Sequence, residues 1–278
     1  MSLLLGNRPT PRRVHPGQLQ FLPPVPVPAG EAARLAALHR YQILDTSPAQ
    51  VFVHIAQMAA DTAHVPVALI SLVDRHRQWF LAGAGLAEMG ITVQETPREI
   101  AFCAYTIMGD GLLVVEDATR DDRFRNNPVV TGPLGIRFYA GVPLLTRDGH
   151  ALGSLCLIDR QPRRLDPVVA LALPLLAQQV VDQLELRLVH HQLHQAKRAL
   201  ATIADHYSHR VRLPLASLLG IVGLIDPETL TGENRQLYEM LCETARNMDD
   251  TIHEVVHTAN VNYELRMTDH QLPMTNNE

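Results

Sequence analysis

A single lysine, Lys197, serves all 278 residues, alongside one tryptophan and three cysteines. A phosphate-binding P-loop needs a Gly-Lys pair, and Lys197 follows an alanine, so P-loop nucleotide hydrolysis is excluded. Cys103, Cys156 and Cys242 are odd in number, widely spaced and form no CxxC pair. They suggest neither a disulfide framework nor a structural zinc knuckle. Long hydrophobic runs are missing too. MSLLLGNRP is too short an apolar stretch for a signal peptide. PVVALALPLLA at 167–177 is about half the ~20 residues of a bilayer-spanning helix. Both absences predict a cytoplasmic protein with no membrane partner. Basic surface is also scarce: net charge is +3 over residues 1–30, −3 over 31–187 and −5 over 188–278. No region after the short tail predicts a nucleic-acid partner.

What is present is an ordinary folding composition, 46% hydrophobic and 19% charged, at a length that suggests two domains. Residues 1–30 hold seven prolines, including PPVPVP at 23–28, and read as an extended, disordered tail. Helical periodicity follows in EAARLAALHRYQIL (31–44) and VFVHIAQMAADTA (51–63). VALISLVD (67–74), RQWFLAG (77–83), LLVVED (112–117), IRFYAGVPLLT (136–146) and ALGSLCLID (151–159) are strand candidates. Asp148-Gly149 between the last two signals a tight hairpin. A short helix is expected at IAFCAYTI (100–107), and an irregular polar loop at 117–135. Hairpin-joined strands with helices before and after predict an α+β domain over 31–187.

From Asp166 a long helix takes over. Leu186, Val189, Leu193, Ala196, Leu200, Ile203 and Tyr207 fill seven successive a/d heptad places. Pro214 is expected to kink or interrupt it. After a turn at DPETLTG, a final helix carries Leu237, Leu241, Met248, Ile252, Val255 and Ala259 at near-heptad spacing. Residues 188–266 thus predict an all-α helical hairpin, two copies of which would close a dimeric four-helix bundle, with 267–278 as a tail.

Motifs within 31–187 occur in a specific order: ILDTSP (43–48), SLVDRHRQWFLAGAGL (71–86), ETPREIAFCAYTI (95–107), DATRDDRFRNNPVV (117–130), FYAGVPL (138–144) and DGHALGSLCLID (148–159). This region resembles the GAF sensory domain. The resemblance implies a six-stranded antiparallel sheet, helices on one face and a small-molecule pocket on the other. Candidate pocket residues are Trp79, Phe102, Cys103, Asp117, Phe124 and Tyr139. Its ligand is not named by the sequence, and no cofactor is expected. A bilin would need a Cys-His pair before the fourth strand, where TGPLGIRF has neither. The cyclic-nucleotide signature of such domains needs a lysine that Lys197 cannot supply.

The box Ser208-His209-Arg210-Val211-Arg212-Leu213-Pro214-Leu215 is similar to that of the dimerisation and histidine-phosphotransfer domain of sensor histidine kinases. That resemblance places the phosphoacceptor on His209. Arg210 stands where the family has an acidic residue, and Leu213 where it has a water-orienting polar one. His209 falls at heptad position c, off the seam, and Arg210 and Arg212 have the guanidinium geometry that stabilises a phosphoryl group. The sequence after Leu265 is too short for an ATP-binding lobe. The expected function is therefore a homodimeric two-component sensor, histidine-kinase-like, taking phosphate from a separate histidine kinase or a response regulator. The rival is a non-catalytic GAF scaffold that recruits such a partner; a GAF-fold methionine sulfoxide reductase ranks third. Cys103 and Cys156 read as small buried hydrophobes. His253-Glu254-Val255-Val256-His257 spells HExxH, but lacks the extended zinc pattern and sits in an amphipathic helix, so no metal site is expected.

Overall fold

The computed structural model describes residues 24–264, with side chains through residue 257. The chain divides into two compact units, the first ending at Leu188 and the second beginning at Val189.

In the first unit, helices α1 (Glu31–Arg40) and α2 (Gln50–Ala63) precede strands β1 (Val67–Val73) and β2 (Arg77–Ala84). Next come β3 (Glu95–Pro97), α3 (Cys103–Thr106), β4 (Leu113–Val115), α4 (Pro128–Thr131), β5 (Phe138–Leu145) and β6 (Ala151–Asp159). The six strands form one antiparallel sheet in the order β3-β2-β1-β6-β5-β4. β1 and β6 are central and buried along their whole length, which is why both read as apolar runs. β3 escaped the periodicity reading because it has three residues, one of them a proline. The expected tight turn between β5 and β6 is present: Gly149 sits at φ +81°, and Thr146 and His150 close it with a backbone hydrogen bond of 3.0 Å.

Both faces of the sheet are covered. On one, α1, α2 and the start of α5 (Pro167–Val222) pack Leu38, Phe52, Ile55, Leu173, Val180 and Leu184 onto Ile70, Leu72, Leu81, Leu155 and Leu157. At about 1.5–3 kcal/mol per large apolar side chain, this layer is the main store of stability. On the other face, α3 and the loops around it bury Phe102, Cys103, Phe124 and Tyr139 against Leu69, Val73 and Cys156.

By length and composition α5 is the one helix among the described residues apolar enough to cross a membrane, although PVVALALPLLA is its longest unbroken apolar run. Its Val169, Leu173, Ala177, Val180, Val181 and Leu184 are instead spent in the sheet domain's core. Of the expected kink or interruption at Pro214, the interruption does not occur: α5 continues through Pro214 to Val222, as it does through Pro174. One missing amide hydrogen bond is outweighed by the cooperative ladder on either side, with Leu215 and Val222 buried beyond it.

In the second unit, the rest of α5 is followed by a short 3-10 turn at Pro227–Thr229 and by α6 (Glu233–Glu264). Among the described residues of this unit, Ser208, Leu215, Val222 and Ala245 are buried. Leu186 and Val189 at the unit boundary, and Leu193, Leu200, Ile203, Tyr207, Leu218, Leu237, Leu241, Met248 and Val255 beyond it, are exposed.

Candidate functional site

The region beneath α3 gathers most of the candidate pocket residues. Phe102 stacks on Phe124 at 3.9 Å between centroids and tilts against Tyr139 at 5.1 Å, and Tyr105 meets Phe124 edge-on at 4.9 Å. Next to the aromatics lies a buried polar cluster. The Tyr139 hydroxyl and Thr106 Oγ1 share a 2.6 Å hydrogen bond, and the Tyr139 hydroxyl also donates to Cys103 Sγ at 3.5 Å. Gln78 Nε2 donates to the same sulfur at 3.1 Å. Cys156 Sγ lies 3.8 Å from Cys103 Sγ, both thiols being free and buried. Ser71 and Ser154, paired directly across β1 and β6, bring their hydroxyls beside Cys103 without finding a hydrogen-bond partner of good geometry.

The electrostatics of the pair are asymmetric. Burial raises the Cys103 thiol, but the dipoles of Cys156, Ser154, Ser71 and Tyr139 around its sulfur outweigh this and hold it below the ordinary thiol range. Cys156, hydrogen-bonded to Cys103 and fully buried, is pushed well above that range, and burial does the same to Tyr139. The two thiols, read from sequence as isolated small hydrophobes, are therefore neighbours with different acidities. No sequence signal reports this, since 53 residues separate them.

Two of the six candidates stand apart. Trp79 faces α1, α2 and α5 on the opposite side of the sheet, with the Arg77 guanidinium 5.3 Å from its ring centroid. Asp117 accepts from the amide and hydroxyl of Thr119 at 3.0 and 2.7 Å, so it shapes the loop after β4. A charged cluster that sequence reasoning missed also orders the sheet domain. Arg34 and Arg98, both buried, share the carboxylate of Glu31, and Arg34 also donates to the Ala151 carbonyl at 3.1 Å. Burial opposes ionisation of Glu31, yet the two guanidiniums hold its pKa down at about 2.

In the second unit, His209 is 76% exposed on α5, with Nε2 3.9 Å from Asp205 Oδ1 one turn earlier. Arg210 is exposed, and Arg212 Nε is 3.9 Å from Asp249 Oδ1 on α6. His253 lies 3.9 Å from the same Asp249 carboxylate. The described residues hold no group of three or more His, Cys, Asp or Glu suited to a metal ion.

Residues 47–188 match the GAF domain family model, about half of the chain, and the chain belongs to the GAF domain family. Its class is that of a GAF-domain sensor of signal transduction. A curated relative, the cyclic di-GMP phosphodiesterase PA2567 of Pseudomonas aeruginosa, is 47% identical over 138 residues. That match takes in 50% of this chain and 23% of the relative, so the chain spans under a quarter of that protein's length. Among solved structures, it is similar to the GAF domain of an Acinetobacter phosphoenolpyruvate-protein phosphotransferase, at 20% identity and a TM-score of 0.41, over 59% of this chain and 98% of that one. It is also similar to the type II free methionine-R-sulfoxide reductase of Thermoplasma acidophilum, at 9% identity and a TM-score of 0.40, over 49% and 90%.

Proposed function

We propose that the protein is a two-component sensor whose GAF domain controls a histidine phosphoacceptor at His209. The observation that supports this most is the setting of that side chain: 76% exposed, with Asp205 at 3.9 Å from Nε2. A nucleophilic imidazole must reach solvent, and a carboxylate one turn away favours the positive charge that builds on the ring as it takes a phosphoryl group. Asp205 supplies from the preceding turn the acidic group that Arg210 displaces from the position after the histidine. Arg210 and Arg212 supply positive charge for the incoming phosphoryl group. The donor is a separate histidine kinase or a phosphorylated response regulator. A small-molecule signal acts at the cluster beneath α3, and α5, which starts in the sheet domain and includes His209, carries the response. A second copy of the chain covers the apolar places from Leu186 to Tyr207.

The test is transfer of labelled phosphoryl groups from a phosphorylated regulator or kinase to the full chain, scored as acid-labile label. Wild type takes label and His209→Ala does not, while its helical content is unchanged. Equal labelling of the two proteins overturns the reading. The 47% identity to a cyclic di-GMP phosphodiesterase favours a second one: a GAF scaffold that recruits a partner in cyclic di-GMP signalling. Label on neither protein with any donor rejects phosphotransfer in favour of this scaffold.

A further inference from the structure

The dithiol beneath α3 has features that small-ligand packing does not require. Two free sulfurs 3.8 Å apart, on α3 and β6, need to close only to about 2.05 Å to bond. The pair is chemically polarised: Cys103 collects hydrogen bonds from Gln78 and Tyr139, while Cys156 retains its proton. Thiolate character is what makes a cysteine sulfur nucleophilic, and a neighbouring thiol resolves the product of its oxidation. Both sulfurs are nearly inaccessible to solvent, at 1% and 0% residue exposure, which excludes large or charged reagents.

We propose that Cys103 and Cys156 form a reactive dithiol that is oxidised by hydrogen peroxide, with Cys103 as the attacking sulfur and Cys156 as the resolving one. Cys103 attacks one peroxide oxygen; the O–O bond breaks, the second oxygen leaves as hydroxide, and Cys103 becomes a sulfenic acid. Cys156 then attacks the Cys103 sulfur, the S–O bond breaks, and a second hydroxide leaves. The two thiol protons convert the two hydroxides to water. Two thiols are oxidised to a disulfide and one molecule of hydrogen peroxide is reduced. The proposal concerns the sheet domain alone and does not depend on phosphotransfer at His209.

The test uses the full chain carrying Cys242→Ser, which removes the partly exposed thiol of α6. After reduction it is treated with hydrogen peroxide, and its intact mass and its thiol count after unfolding are measured. The expected product has lost two hydrogens and both alkylatable thiols, and a reductant restores them. In the same background Cys156→Ser stops with one oxygen gained, trapped by a cyclic 1,3-diketone, while Cys103→Ser is inert. A bulky aromatic disulfide reagent reacts with the folded protein far more slowly than peroxide does. Two thiols still free after peroxide that fully oxidises Cys242 in the wild type overturn the proposal. So does a Cys103→Ser protein that is oxidised as fast as its parent. Should either single variant fail to fold by circular dichroism, the mass and thiol count of the parent decide alone.

Discussion

The Tyr41 hydroxyl donates a 2.6 Å hydrogen bond to Glu185 Oε1, joining the end of α1 to α5 across 144 residues of sequence. Burial and this acceptor push the phenol up to about 12. The bond fixes α5 at the point where it leaves the sheet core, three residues before the end of the first unit. Tyr41→Phe keeps the packing and strands the carboxylate, which predicts a loss of about 1–2 kcal/mol in urea unfolding. An unchanged midpoint would mean that water serves Glu185 equally well.

Glu31 predicts an acid limb. Its carboxyl is held at about 2 in the folded protein against 4.5 in a free chain, so the folded state binds fewer protons. The stability it contributes is complete above about pH 4.5 and is lost as pH falls towards 2. Glu31→Gln leaves Arg34 and Arg98 buried without a counter-charge, predicting about 3–5 kcal/mol of destabilisation at neutral pH. The variant should also show a flatter fall in stability between pH 4.5 and 2, measured by denaturant titration at each pH.

The apolar heptad places predict self-association. Leu193 and Leu200 are exposed in the single chain, and burying each against a second copy contributes about 1.5–3 kcal/mol. Light scattering should find a dimer at micromolar concentration, and Leu193→Glu with Leu200→Glu should give monomers. A monomeric wild type would remove the bundle from the proposed mechanism.

Gly141 probes the cluster beneath α3 from the strand side. A Cβ there would lie 2.3 Å from the Tyr139 hydroxyl, whereas one at Gly111 meets nothing within 4 Å. Gly141→Ala should cost about 1–3 kcal/mol by overpacking, with the phenol displaced from Thr106 and Cys103. Thermal melts of Gly141→Ala and Gly111→Ala, compared side by side, check this; equal shifts would count against a tight cluster.

The elements most legible in the sequence are those with the most local signal. β1, β2, β5 and β6 are predominantly apolar runs, α1 and α2 carry clean helical spacing, and Asp148-Gly149 marks its own turn. The GAF motifs, in their order and spacing, carry the family in the sequence itself. What stayed hidden depends on register. The pairing of β1 with β2 shifts between Ile70 and Ser71, and that of β5 with β6 between Pro143 and Leu145. Strict alternation therefore does not say which face a residue takes. Neither shift falls at the pairing of Ser71 with Ser154, and the meeting of Cys103 with Cys156 is hidden by the 53 residues that separate them. Asp117 failed as a pocket residue for a simpler reason: an aspartate two residues before a threonine is first of all a turn former. The Pro214 expectation weighed one residue against a helix whose continuity is cooperative.

The sheet ends on both sides in strands of three residues, β3 and β4, and β3 closes with Pro97. A sheet border offers bare amides and carbonyls that another chain can zip onto, and short borders interrupted by proline are how proteins deter it. Here neither rim is long enough to hold an added strand in register. Growth of the sheet into a larger assembly is therefore discouraged.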